Sequence, residues 1–105
     1  MTKKRKPVHP GRVLKFDVLE PCGISVSAAA RLMKVSRKHL FNFANENVPC
    51  TVELATTLAC ATDTSIASWL NIQTKLDIWA AEQTPKKDLK DIGRLYAHEE
   101  LKATW

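Results

Sequence analysis

The stretch SVSAAARLMKVSRKHLFNFAN, residues 25–45, reads as two short helices that meet at Lys34-Val35-Ser36. In the first, Ala29, Ala30 and Met33 recur at i, i+1 and i+4, one apolar face of a 3.6-residue period. Ala30 is small where two crossing helices need close approach. Ser25 or Ser27 is positioned to cap this helix and Ser36 to cap the next, since a hydroxyl there accepts from an N–H that has no intrahelical partner. Leu40, Phe43 and Ala44 form the inward face of the second helix. Arg37, Lys38, Phe41, Asn42 and Asn45 share the opposite face, and solubility alone does not call for Phe41 among them. The pattern is that of a helix-turn-helix whose second helix can lie in a DNA groove.

Charge reinforces this reading through its distribution. The net charge is +5, but residues 1–50 carry ten Lys or Arg against Asp17, Glu20 and Glu46, while residues 51–105 carry six against eight carboxylates. The basic half therefore coincides with the helix-turn-helix. A polyanion is the natural partner, because neutralised phosphates release counterions and that release supplies most non-specific affinity. Cys22, Cys50 and Cys60 are odd in number and widely spaced, which supports neither a zinc site nor a disulfide framework. His9, His39 and His98 have no partner at ligand spacing. With no Gly-rich phosphate loop or nucleophile elbow, no enzyme, metal or cofactor is expected. No apolar stretch approaches the roughly 20 residues that span a bilayer, and the basic start leads into Pro7 and Pro10 rather than an apolar run, so cytoplasmic residence is expected.

The remaining chain reads as helices, giving one all-α domain. Residues 1–8 form a flexible basic arm, able to lie along phosphates or enter a minor groove. Residues 9–83 form the helix-turn-helix domain, and residues 84–105 a C-terminal extension. A first helix starts near Pro10, buries Val13, Leu14, Val18 and Leu19, and stops at Pro21 and Gly23. Thr51 caps a fourth helix with Leu54, Ala55, Leu58 and Ala59 inward. Ser65 caps the longest helix, about residues 66–83. There Trp69, Ile72, Leu76 and Trp79 recur at i, i+3, i+7 and i+10, a heptad-like seam read as facing a second subunit in a homodimer. Leu89, Ile92, Leu95, Tyr96 and Leu101 suit one more short amphipathic helix, or a tail.

Several segments together resemble the HigA-type antitoxins of the XRE/Cro-repressor-like helix-turn-helix superfamily. They are His9-Pro10-Gly11, Leu19-Glu20-Pro21, the helix-turn-helix itself, Thr51-Val52-Glu53-Leu54-Ala55 and Trp69-Leu70-Asn71-Ile72-Gln73 with Asp77-Ile78-Trp79. The resemblance covers about residues 8–83 and implies a five-helix Cro/lambda-repressor-like domain. It also implies a dimer that binds an operator overlapping its own promoter and neutralises a cognate mRNA-cleaving toxin. The chain departs from the family at three positions. Lys34 and Glu46 stand where Gly is usual, and Ala29 replaces a larger apolar residue. A lysine in a left-handed turn costs roughly 1 kcal/mol relative to Gly, and a carboxylate near phosphates repels them.

The residues themselves give the expected DNA contacts. Arg37 and Lys38 reach base edges or phosphates, and Arg pairs bidentately with guanine. Asn42 pairs with adenine or holds a phosphate, and Phe41 rests against a thymine methyl or sugar. Ser25, Ser27 and the start of the second helix suit a phosphate clamp. Lys34 adds a cation at the turn, Ser36 is chiefly a cap, and His39 and Asn45 flank the face. Two such helices one duplex turn apart read a palindrome in double-stranded DNA. Two alternatives remain: a stand-alone XRE-type regulator without a toxin, and a protein-interaction module that has lost DNA.

Overall fold

Residues 5–83, 89 and 91–97 are described by a computed structural model. Helix α1 runs over residues 10–22 in three consecutive pieces: α-helical Pro10–Arg12, π-helical Val13–Leu19 and α-helical Glu20–Cys22. Helices α2 (Val26–Met33), α3 (Arg37–Ala44), α4 (Val52–Thr62) and α5 (Ile66–Gln83) follow. The fold is all-α with five helices, and the described residues hold no strand. The expected hydroxyl caps are all in place. Ser25, Ser36, Thr51 and Ser65 each accept from the backbone N–H three residues on, at 3.1, 3.0, 3.2 and 3.0 Å. Each such cap contributes about 1 kcal/mol.

Helix α1 differs from its sequence pattern in two ways. Pro21 does not stop it but sits inside its last turn, where Glu20, Pro21 and Cys22 remain helical; Gly23, left-handed at φ 66°, is the stop. Upstream, the backbone pairs five residues apart, with the Glu20 N–H donating to the Lys15 carbonyl. That i→i+5 register explains why the inward residues pair as Val13 with Val18 and Leu14 with Leu19, an offset that suits a π-helix better than an α-helix.

The N-terminus of α1 is fixed against the end of α3. His9 is buried and its Nδ1 accepts from the Gly11 N–H at 2.9 Å, so the imidazole is the N-cap of α1. Its ring packs on Phe43 with centroids 5.7 Å apart. Pro10 supplies the pre-set φ of a first helical turn. Gly11 lies so close to α3 that a Cβ there would sit 1.8 Å from the Phe43 carbonyl oxygen. The three residues form a clamp in which each has a separate physical task.

Leu14 and Leu19 of α1, Ala29 and Ala30 of α2, Leu40 and Phe43 of α3, Leu54 and Leu58 of α4 and Trp69 of α5 make up the core. The small side chain of Ala29 borders an apolar hollow of about 160 Å³ that also touches Leu14, Leu19, Ile24 and Met33. Gln73 ties α5 to the loop before α4: its Oε1 accepts from the Cys50 N–H at 2.7 Å and its Nε2 donates to Asp77 at 2.8 Å. Trp69 turns inward instead of forming part of an outer seam. It is buried, and its Nε1 donates to the Thr64 hydroxyl at 2.9 Å. The physical reason is that the short corner after α4 swings the first two turns of α5 over the core. Ile72, Leu76 and Trp79 remain half-buried.

The amphipathic helix read from Leu89, Ile92, Leu95 and Tyr96 is not formed over residues 91–97. Leu95–Ala97 form a 3₁₀ turn there, and these four side chains are exposed. Gly93 interrupts a stretch too short to hold a helix without a packing surface. Leu101 lies outside the described residues. Among the described residues no helix is long and apolar enough to cross a membrane.

Candidate nucleic-acid interface

The outer face of α3 is built as its sequence pattern requires. Leu40, Phe43 and Ala44 are buried, which forces Arg37, Lys38, Phe41 and Asn45 outward, and all four are exposed. Phe41 retains 40 % of its surface, an apolar ring held among polar neighbours by the helix period alone. Asn42 is half-buried beside them. Ser36 accepts from the His39 N–H and so aims the first turn of α3, with its two cations, away from the core.

Next to that turn is an open hollow of about 430 Å³ where α2 and α3 begin. Ser25, Ser27, Arg31 and Arg37 line it, along with Val35. It combines two guanidinium groups and two hydroxyls with the N-terminal turn of α2, a set that matches a phosphate group. Arg31 is the member the sequence pattern missed. It stands one turn after Ser27 on the same face of α2, and the crossing of α2 and α3 brings it to the same hollow as Arg37. His39 is half-buried and lines a separate open hollow with Thr51, Glu53 and Thr57 at the junction with α4.

The turn between the two helices closes with Lys34 in the left-handed region at φ 57°, its N–H donating toward the Ala30 and Arg31 carbonyls. Lys34 is exposed at this turn. Glu46, at φ 66°, makes the same kind of backbone reversal just after α3, its N–H donating to the Phe43 carbonyl at 3.0 Å. The Val35 N–H reaches back to the Ala30 carbonyl at 3.0 Å, which completes the cap of α2.

No family model matches the chain. Individual proteins do. Antitoxin HigA-1 of Vibrio cholerae is 36 % identical over 100 residues, covering 95 % of this chain and 94 % of that protein. The chain belongs to the HigA family of helix-turn-helix antitoxins and regulators. An uncharacterised helix-turn-helix transcriptional regulator of Escherichia coli, YbaQ, is 34 % identical over 91 residues, covering 87 % of this chain and 80 % of that protein. The solved structure of Pseudomonas aeruginosa antitoxin HigA with the higBA promoter superposes with a TM-score of 0.76 at 30 % identity, covering 85 % of this chain and 98 % of that one. Membership places the chain among regulators rather than enzymes.

Three positions singled out in the sequence have concrete structural outcomes. Lys34 and Glu46 adopt the backbone that glycine adopts readily, so both turns are kept at a cost of roughly 1 kcal/mol each. Ala29 leaves the hollow described above. The His9-Pro10-Gly11 motif, in turn, is explained by the contact with Phe43, which sets the end of α3 against the start of α1.

Proposed function

We propose that this HigA-family protein is a DNA-binding antitoxin and autorepressor of a type II toxin–antitoxin operon, acting in the cytoplasm. The observation that carries the reading is the hollow shared by Ser25, Ser27, Arg31 and Arg37 beside the exposed Arg37, Lys38 and Phe41 of α3. A phosphate held in that hollow sets α3 against the duplex. Arg37 and Lys38 then reach base edges, with Asn42, Phe41, Asn45 and the Lys34 ammonium as flanking contacts. The half-buried Leu76 and Trp79 of α5 face a second copy, while Ile72 lies toward α1, and the dimer reads a palindromic operator. The cognate mRNA-cleaving toxin is the second partner. Two relatives support the assignment: an antitoxin similar over nearly its whole length, and a HigA solved with promoter DNA.

The test is a gel-shift titration of the fragment upstream of the protein's own gene. Arg37→Ala weakens specific binding by about 1–3 kcal/mol and relaxes one base position. Affinity unchanged by Arg37→Ala and Lys38→Ala together would refute the interface. Co-purification with the product of an adjacent small reading frame tests the toxin. The similarity to the Escherichia coli regulator favours a second reading, a stand-alone repressor, and operator binding with no such partner would establish it.

A further inference from the structure

A further hollow, of about 540 Å³, lies between α1 and the corner that joins α4 to α5. Val13 and Val18 of α1 and Trp69 and Ile72 of α5 form its apolar floor, and Asp17 and Asp63 stand on its rim. No residue of α2 or α3 lines it, so it is separate from the candidate DNA face. Both carboxylates are exposed, and neither forms an ion pair among the described residues. The nearest cations of α1, Arg12 and Lys15, sit over the exposed Phe16 ring at 5.0 and 5.3 Å and do not line the hollow.

We propose that this groove is a docking site for a cationic amphipathic helix of a partner protein. Apolar side chains of such a helix fit the Val13, Val18, Trp69 and Ile72 floor, while lysines or arginines on its flank meet Asp17 and Asp63. The charge pattern selects this occupant. A second copy of the chain docked two-fold on the hollow would bring like carboxylates together, whereas a cationic segment is attracted to them. The chain as a whole carries a net charge of +5, so a cation is drawn here by the local carboxylates and not by the overall charge. The inference rests on the antitoxin reading only for the source of the helix, which is then the toxin.

The probe is a synthetic leucine/lysine peptide with leucines at helical i, i+3, i+4 and i+7 spacing, titrated calorimetrically into the full chain. The peptide binds with one-to-one stoichiometry, and a leucine/glutamate peptide of the same pattern does not. The double variant Asp17→Asn, Asp63→Asn weakens binding about fivefold to tenfold. Asn is compatible with the left-handed backbone of residue 63, so the melting temperature is unchanged. No binding to the wild type, equal binding to the double variant or equal binding of the glutamate peptide would overturn the site. A double variant that sediments differently from the wild type would overturn it too, because the occupant is then a second copy.

A parallel titration uses the purified product of the adjacent reading frame. If it binds the wild type and the double variant equally, the groove is wrong and the antitoxin reading stands. If it binds neither while the lysine peptide still discriminates, the antitoxin reading fails and the groove stands. Operator binding of the double variant stays at the wild-type level in either case.

Discussion

Gly11 has no room for a side chain. A Cβ there would overlap the Phe43 carbonyl oxygen at 1.8 Å, and that carbonyl also accepts the Glu46 N–H that ends α3. Neither atom can yield without moving a helix end. Gly11→Ala therefore lowers stability by about 1–3 kcal/mol, the range for overpacking, and a urea or thermal melt measures it. The displacement acts on the C-terminus of α3, so specific DNA affinity falls with stability; a variant that melts like the wild type would show that α1 and α3 are not clamped. A second residue-level consequence concerns Cys50. Its burial pushes the thiol up from 9.0 to about 11. The folded state thus keeps a proton that the unfolded state has already released, so the thiol's contribution is complete below about pH 9 and is lost as pH rises toward 11. The wild type then loses stability over that range more steeply than Cys50→Ala, by at most about 1.4 kcal/mol per pH unit. Parallel pH profiles for the two proteins would contradict it.

At the scale of elements, the helices are legible in the sequence wherever their causes are local. The caps at Ser25, Ser36, Thr51 and Ser65 and the outer face of α3 need only the helical period and an oxygen at the right position, and both are written in the chain. The π-helical register of α1, the His9 cap, the inward turn of Trp69 and the bond from Cys50 to Gln73 depend on which helix lies alongside, and no local pattern encodes that. Arg31 joins Arg37 for the same reason: crossing geometry, not spacing, brings them to one hollow. The turn between α2 and α3 lies between these cases, since the sequence shows a lysine where the backbone wants glycine and the structure shows that the backbone prevails. Lys34→Gly relieves that conflict and raises stability by about 0.5–1 kcal/mol. It also removes a cation from the candidate DNA face. If Lys34 contacts a phosphate, the same variant binds the operator more weakly and its logarithmic salt slope shrinks by about 0.9. Melts and salt titrations of one variant separate the two effects, and tighter operator binding would mean that the turn matters to affinity only through its geometry.

Across the whole molecule, charge and apolar surface are arranged asymmetrically, and the asymmetry predicts an oligomer. The first half of the chain is strongly basic and contains the candidate DNA face. The later turns of α5 keep Leu76 and Trp79 half-buried and Ile78 54 % exposed, more apolar surface than packing on α4 requires. Lys6 lies over the Trp79 ring at 5.9 Å, so part of the basic segment follows α5 rather than projecting from the domain. A dimer through this end of α5 buries that surface and sets two α3 helices a fixed distance apart. Sedimentation across micromolar concentrations then finds a dimer, and Leu76→Lys with Ile78→Lys yields a folded monomer. Because each protomer brings its own phosphate contacts, the monomeric variant loses about half of the six to ten contacts expected for a dimer, and its salt slope halves with them. A wild type that sediments as a monomer at every concentration, yet keeps the full salt slope, would mean that one α3 helix and its arm neutralise the operator phosphates alone. The apolar end of α5 would then need another explanation.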